Sequence, residues 1–290
     1  MDASTKKSSK VSVVIPCFND GLYLTDAVQS ILSQSFRDFH IIVVDDASSD
    51  ATTKQVLRSL EGHALVEVVF LEKNAGTAGA RNRGITLAKS PYILTLDAND
   101  MFAPSFLEKA VAVLEEHPGV GVVTCGVQHF GKQALYWLPK GGTVENFLVE
   151  NNCCGNALFR RRFWEDAGGY DSSILYEDWE FWISGTAKGW EVHVIQEPLF
   201  FYRKQAGTKS TQDALQKAAI YRQIVKKHKE IYCKNIEEVL YQKEVQLTAQ
   251  YFMPRYQRYL SLLCWMSNVR SLVRGFFKRT AGPRAPQGPA

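Results

Sequence analysis

Ile41-Ile42-Val43-Val44-Asp45-Asp46-Ala47-Ser48-Ser49-Asp50 is the stretch on which the fold of this chain turns. Four consecutive β-branched residues with no polar alternation suit a strand covered on both faces, as in the middle of a parallel sheet. The turn that follows is rich in carboxylates and hydroxyls, stops the strand, and supplies N-cap residues for a helix over 53–60. The same unit recurs on either side. Upstream, Val11-Ser12-Val13-Val14-Ile15 reads as a strand ended by Pro16. The turn residues Asn19, Asp20 and Gly21 then precede Leu24, Ala27, Val28, Ile31 and Leu32 at helical spacing over 22–34. Downstream come a strand at 66–71, a glycine-containing loop at 74–79, a helix at 79–88 and a strand at 92–96 stopped by Asp97-Ala98-Asn99-Asp100. A helix at 104–116 and a strand at 120–125 follow.

This alternation predicts an α/β fold with a mostly parallel central sheet and helices on both faces. Ligands in such sheets bind beyond the carboxyl ends of the strands. The loops containing Asn19-Asp20, Asp45-Asp46, Asn74-Gly76 and Asp97–Asp100 all fall there. The segment 126–205 is less regular and rich in aromatics, and 211–250 reads as helical. No internal repeat is visible.

With 46% hydrophobic and 22% charged residues, the 290-residue chain is neither collagenous nor disordered, and it is long enough to bury a core without disulfides. No apolar run approaches the roughly 18 residues of a membrane-crossing helix. Residues 1–10 are polar, without the apolar stretch of a signal peptide, and are expected to form a flexible tail. The six cysteines show no CxxC spacing and the six histidines are scattered, which speaks for reduced thiols in the cytosol and against a zinc site. Net charge is +4, yet residues 251–290 alone hold seven Lys/Arg and no Asp or Glu, so residues 1–250 sum to −3. A mildly acidic body argues against a nucleic-acid-binding protein, and a basic end suits an anionic surface.

Asp97-Ala98-Asn99-Asp100 gathers hard oxygen ligands at a strand end. Mg²⁺ and Mn²⁺ are commonly held by a few carboxylates together with substrate phosphates; the same residues also serve simply as a turn and helix cap. Asp45-Asp46 suits hydrogen bonding to a base or ribose, or capping of the next helix. Arg81 suits a phosphate contact or an exposed helix position. Trp164, Trp179 and Trp182 suit sugar stacking or the core.

Taken in order, Val11–Pro16 with Asn19, Val44-Asp45-Asp46 through Asp50, Asn74-Ala75-Gly76, Ala80-Arg81-Asn82 and Leu96-Asp97-Ala98-Asn99-Asp100 with Pro104 resemble the family 2 glycosyltransferases of the GT-A fold. The resemblance continues through Asn156–Arg161, Gly168–Asp171 and Tyr176-Glu177-Asp178-Trp179-Glu180-Phe181-Trp182, and covers about 11–205. It implies a GT-A domain over 11–210, with a nucleotide-sugar half (11–125) and an acceptor half (126–210), followed by a helical extension over 211–250. Pro16, Asn19, Asp45, Asp46, Asn74 and Arg81 match positions that contact the nucleotide in similar proteins. Asp97 and Asn99 match the first and third positions of the Asp-x-Asp metal motif, with Asp100 as a compensating ligand for Mn²⁺ or Mg²⁺. Asn99 departs from that pattern, since an amide oxygen brings no charge. Asp178 matches the general base of a Glu-Asp pair. Arg203 or Lys204 is placed to reach the diphosphate, although Gln205 stands near a position where many relatives carry His.

The activity implied is inverting transfer from a nucleotide-diphosphate sugar, a UDP-sugar foremost, of a hexosyl or N-acetylhexosaminyl group. The acceptor is a hydroxyl of a glycan or lipid-linked precursor in cell-surface polysaccharide synthesis. The alternative is a weakly active or inactive GT-A-like nucleotide-binding protein, suggested by Asn99 and Gln205. In 251–290, Leu262, Trp265, Met266, Val269, Leu272, Val273, Phe276 and Phe277 fall on one helical face opposite Arg270, Arg274 and Lys278. That pattern suits a helix lying on an anionic membrane surface, at the cytoplasmic inner face, before a flexible end; it also suits a helix docked on protein.

Overall fold

The apolar runs become adjacent strands of one sheet in the computed structural model, which describes residues 9–131, 134–204 and 214–249 with isolated positions beyond. β1 (Val11–Cys17), β2 (Phe39–Asp45), β3 (Val66–Phe70) and β4 (Tyr92–Thr95) run parallel, with β2 and β4 flanking β1 and β3 outside β2. They alternate with α1 (Gly21–Leu32), α2 (Ala51–Leu60) and α3 (Gly76–Leu87), so the loops after β1, β2, β3 and β4 emerge at one end of the sheet. A short β5 (Met101–Phe102) and α4 (Phe106–Glu116) lead into β6 (Val120–Gly131). Next come β7 (Tyr136–Trp137), α5 (Val144–Phe147), β8 (Leu158–Arg160), α6 (Arg161–Ala167), α7 (Glu177–Thr186) and β9 (Glu191–Lys204). The sheet runs β3-β2-β1-β4-β8-β6-β9-β5, with β7 paired to β6. β8 lies antiparallel to both β4 and β6, and so joins the two halves of the chain.

Pro16 does not end β1. The strand continues to Cys17, with Pro16 in register with Val44 on the β2 side. β4 pairs with β1 only as far as Val14, so the missing N–H of Pro16 leaves no gap in a ladder there. The segment 126–205, read as irregular, holds the second half of β6, which continues the strand expected at 120–125, and all of β9, the longest strand among the described residues. β9 escapes the sequence pattern because its exposed residues do not alternate cleanly and Pro198 sits at a register shift opposite Gly126. The helical segment breaks at His228 and Asn235 into α8 (Ala214–Lys227), α9 (Lys229–Lys234) and α10 (Ile236–Leu247). Residues Met1–Asn235 form one compact unit, and α10 belongs to a second one, Ile236–Ala290. Apart from isolated positions, the amphipathic C-terminal segment lies outside the described residues, as do residues 1–8. No helix among the described residues is long and apolar enough to cross a membrane.

One face of the sheet packs Val11, Val13, Ile15, Ile41 and Val43 against α1 and α4. On the opposite face α3 comes very close: a Cβ on Gly84 would lie 2.4 Å from Val14 Cγ1 and 3.0 Å from Val44 Cγ2. This contact sets the depth of Arg81, one turn earlier on the same helix. A second apolar cluster of Phe159, Phe163, Phe181 and Trp182 fixes α6 and α7, with ring centroids 5.0–6.3 Å apart. Trp179 and Trp182 are therefore core residues. Gly84→Ala should lift α3 from the sheet and lower stability by about 1–3 kcal/mol, the usual cost of overpacking. Chemical denaturation with an unchanged slope checks this.

Candidate active site

The loops at the carboxyl ends of β1 to β4 are tied to one another before any ligand is considered. Asn19 adopts φ 56°, a left-handed conformation that Asn tolerates. Its Oδ1 accepts from the backbone N–H groups of Ser49 (2.9 Å) and Asp50 (3.1 Å), and its own N–H donates to Ser48 Oγ at 3.0 Å. Asp45 accepts from Ser48 N, and Asp46 from Ala75 N at 2.6 Å. Asn74 donates to the Asp46 carbonyl and accepts from Gly76 N. Both aspartates are buried, whereas Asn74 is exposed. Four of the residues matched to nucleotide contacts thus build the loop scaffold. Pro16 lies buried within β1.

Asp97 follows β4. Its N–H donates to Asn156 Oδ1 (3.0 Å), and its Oδ2 accepts from Asn156 Nδ2 (3.3 Å). Its Oδ1 accepts from Arg81 Nη2 at 2.7 Å. Arg81, only 2% exposed, reaches Glu177 Oε1 at 3.2 Å with its other terminal nitrogen. Its guanidinium lies 5.3 Å from the centre of the Tyr170 ring. Burial opposes that charge, but Asp97, Tyr170 and Glu177 outweigh it and raise the pKa above the ordinary arginine value. Arg81 is thus a buried brace between two carboxylates, not an exposed helix arginine. The neighbouring Asn82 pins the second half in the same place: its Nδ2 donates to the Tyr170 carbonyl, and its Oδ1 accepts from Tyr170 N and Trp164 Nε1.

Asp178 and Glu177 open α7. Asp178 is half-buried and accepts from Asn151 Nδ2 at 2.9 Å. Burial raises the pKa of both carboxyls, Arg81 pulling in the opposite direction. Asp20, at the start of α1, is raised by burial and by the charges of Asp97 and Asp50. Asp100 is fully buried; it accepts from the backbone N–H of Arg203 (2.8 Å) and from Asn156 Nδ2 (3.4 Å), and its pKa is pushed well up by burial and by Asp97.

Arg203 is held differently from the phosphate-reaching side chain expected. Its Nε donates to the Asn99 carbonyl (2.9 Å) and its Nη2 to Asp26 (3.0 Å), while its guanidinium lies 4.6 Å from the ring centres of both Tyr23 and Phe130. It anchors the Asn99-Asp100 turn to α1 and β6. The residues after Lys204, Gln205 included, lie outside the described residues up to 213.

Among the described residues no three His, Cys, Asp or Glu side chains converge as a metal cage. The Asp97 side chain is nevertheless 34% exposed, and Asn99 is half-buried with its amide bonded to no other described residue. One carboxylate and one amide oxygen suit a hard cation whose remaining ligands come from water and phosphate. Asp100, turned into the fold, is committed to Arg203 and Asn156. The sequence pattern does not mark Asn151, Asn82 or the positioning part of Asn156 as site residues. The last two stood inside quoted motifs; Asn151 gave no signal.

A GT-A fold is the class that this sheet and its paired acidic loops define. The chain belongs to Glycosyl transferase family 2, whose family model matches residues 12–227. It is an enzyme of the glycosyltransferase class. It is similar to EpsE of Bacillus subtilis, at 28% identity over 208 residues covering 68% of this chain and 74% of that protein. TuaG of the same organism, named for teichuronic acid biosynthesis, is 37% identical over 107 residues, which cover 37% of this chain and 42% of TuaG. Among solved structures, S. aureus TarS 1-349 in complex with UDP-GlcNAc matches with a TM-score of 0.61 at 21% identity, covering 71% of this chain and 62% of that one. A mannosyltransferase of Pyrobaculum calidifontis in complex with GDP-Man and Mn²⁺ matches with a TM-score of 0.56 at 21% identity, covering 70% and 59%.

The helix bearing Asp178 is fastened on its far side by α8. Lys227 Nζ lies 2.7 Å from Asp171 and 2.9 Å from Glu180, and His228 Nε2 lies 2.8 Å from the same fully buried Glu180. Hydrogen bonds from Lys227 and Ser173 lower the Asp171 pKa to about 2. Because that value lies below the roughly 3.9 of an unfolded aspartate, the contribution is fully present above about pH 4 and is lost as pH falls through about 2. Asp171→Asn should therefore cost about 1–2 kcal/mol at pH 7, and the difference from wild type should close between pH 4 and 2. Denaturant titrations at several pH values read both arms.

Proposed function

We propose that this enzyme is an inverting transferase. It would move a hexosyl or N-acetylhexosaminyl group from a nucleotide-diphosphate sugar, a UDP-sugar foremost, to a hydroxyl of a glycan or lipid-linked acceptor in cell-surface polysaccharide synthesis. The observation that carries this reading is the buried Arg81, which binds Asp97 and Glu177 at once and so brings the strand-end Asp-x-Asn turn next to the Glu177-Asp178 pair. Family membership, the UDP-GlcNAc complex of TarS and the naming of TuaG for teichuronic acid support the donor and product classes.

On this reading Asp178 takes the proton of the acceptor hydroxyl as its oxygen attacks the anomeric carbon. The bond from that carbon to the diphosphate breaks on the opposite face, inverting the configuration, and the nucleoside diphosphate leaves with the bonding pair. Burial raises the Asp178 pKa, which strengthens it as a base, and Arg81 opposes the rise. Asp97 and Asn99 would hold a divalent cation, Mn²⁺ or Mg²⁺, which when bound offsets charge developing on the leaving diphosphate. Asp45, Asp46, Asn19, Asn74 and Pro16 shape the nucleotide pocket through the loops they fix. Arg203 contributes by holding the Asn99-Asp100 turn. The basic C-terminal stretch would keep the enzyme at an anionic membrane face, near a lipid-linked acceptor; its seven positive charges, at about 1 kcal/mol each near such a surface, support this.

Screening nucleotide-sugars for hydrolysis and transfer, with Mn²⁺ and with chelator, tests the activity. Asp178→Asn should lower transfer by roughly 10²–10⁴-fold with nucleotide binding retained; wild-type turnover in this variant removes the base assignment, and full activity in excess chelator removes the cation. Deleting residues 255–290 should abolish co-sedimentation with anionic liposomes at low salt while circular dichroism stays unchanged. Equal sedimentation of both forms, or a lost fold, overturns the membrane reading.

A further inference from the structure

The segment between α5 and β8, residues 151–156, touches both acidic elements of the site. At one end Asn151 donates through Nδ2 to Asp178 Oδ2 at 2.9 Å. Its own Oδ1 accepts from Cys153 N at 3.3 Å, which fixes the amide so that its NH₂ faces the carboxylate. At the other end Asn156, 3% exposed, bridges Asp97 and Asp100 through Nδ2. Between them the backbone at Gly155 closes on the same carboxylate: a Cβ there would sit 3.2 Å from Asp178 Oδ2. The Gly155 carbonyl in turn accepts from Thr95 Oγ1 at the end of β4. No other side chain among the described residues donates to the Asp178 carboxylate.

We propose that Asn151 is a positioning residue for Asp178, holding Oδ2 so that the second oxygen is presented to the acceptor hydroxyl. The proposal rests on the reading of Asp178 as the general base. The Asn151 amide, the backbone N–H of Trp179 and one close backbone contact leave the carboxylate little rotational freedom, which is what a base within reach of a single hydroxyl requires. A donor to the ionised form also favours that form against burial. The groups that face Asp178 electrostatically are Arg81 from α3, Asp97 from the turn after β4, Glu177 beside it on α7, Tyr170 before α7 and Cys153 on the 151–156 segment. Of these only Arg81 favours the ionised state, joined by the backbone N–H of Trp179; the Asn151 amide adds the one side-chain hydrogen bond among the described residues that does so.

Two variants test this. Asn151→Ala removes the donor, and Asn151→Asp keeps the volume while placing a like charge beside Asp178. Both should lower kcat about 10- to 100-fold, the range of an outer-shell partner, with the donor KM within about twofold of wild type. Both should also move the acid limb of the pH–rate profile to higher pH, Asn151→Asp further than Asn151→Ala. The same displacement should be visible without substrate. The readout is a ¹³C titration of aspartate-labelled protein, with the Asp178 resonance assigned by its absence from Asp178→Asn. An unchanged Asp178 titration and pH profile in both variants, with Asp178→Asn inactive, overturns the positioning role alone. Full transfer by Asp178→Asn overturns the base reading and this proposal with it.

Discussion

The site depends on one buried cation. Arg81 is carried into the interior by a helix that meets the sheet through Gly84, and there it faces Asp97 from the first half of the chain and Glu177 from the second. Burying a guanidinium is costly unless its charge is matched and its donors are used, and removing one member of such a group commonly costs about 3–5 kcal/mol. Because the partners come from segments about eighty residues apart, that constraint acts on the relative placement of the two halves. It holds the strand-end turn and the start of α7 together. Asn82 reinforces this by gripping the Gly169-Tyr170 segment, so that Ala80-Arg81-Asn82 works as one device: the arginine sets the charge and the asparagine sets the distance.

Around this brace, the chain uses neutral amides to hold acids. Asn19 gathers backbone donors from the loop after β2, Asn156 bridges Asp97 and Asp100, and Asn151 meets Asp178. An amide offers both donor and acceptor without adding charge, so it fixes a carboxylate and favours its ionised form without introducing a competing ion. Arg203 does comparable work at the edge of the cleft, clasped by Tyr23, Phe130 and Asp26 while its backbone and Nε hold the turn at Asn99 and Asp100.

The N-terminal half was legible because its strands are mostly apolar, broken only by single polar residues such as Ser12 and Glu67, and each turn is marked by Asn, Asp or Gly. The period of the pattern and its punctuation agreed. The second half was not, for physical reasons that differ by element. β9 mixes exposed and buried positions and carries Pro198 at a bulge, so it lacks both the apolar run and the clean alternation that signal a strand. α7 is buried nearly all round, Glu180, Ser184 and Thr186 along with Trp179, Phe181 and Trp182, so its apolar residues form no one-sided stripe. The candidate site residues were found through their motifs, but what each one touches was not. That Arg203 turns inward, that Asp100 is buried, and that Asn151 lies against Asp178 depend on pairings between residues 27 to 177 positions apart. No local spacing encodes them.

Asp20, Asp97, Glu177 and Asp178 line the candidate site, and the two arginines nearest to them are already paired inside the protein. A nucleotide diphosphate, itself anionic, would enter a region where no described arginine is left uncommitted to meet it. On the proposed reading this imbalance gives the divalent cation its purpose. Bound by the partly exposed Asp97 and the amide of Asn99, it would screen the carboxylates from the diphosphate and neutralise the leaving group. With Asn99 where a second carboxylate could stand, such a cation would see less negative charge from the protein and keep more of its own for the phosphates. On that reading Asn99 would weaken the protein's own hold on the metal, enlarge the share taken by the donor, and so tie cation affinity to the presence of nucleotide-sugar.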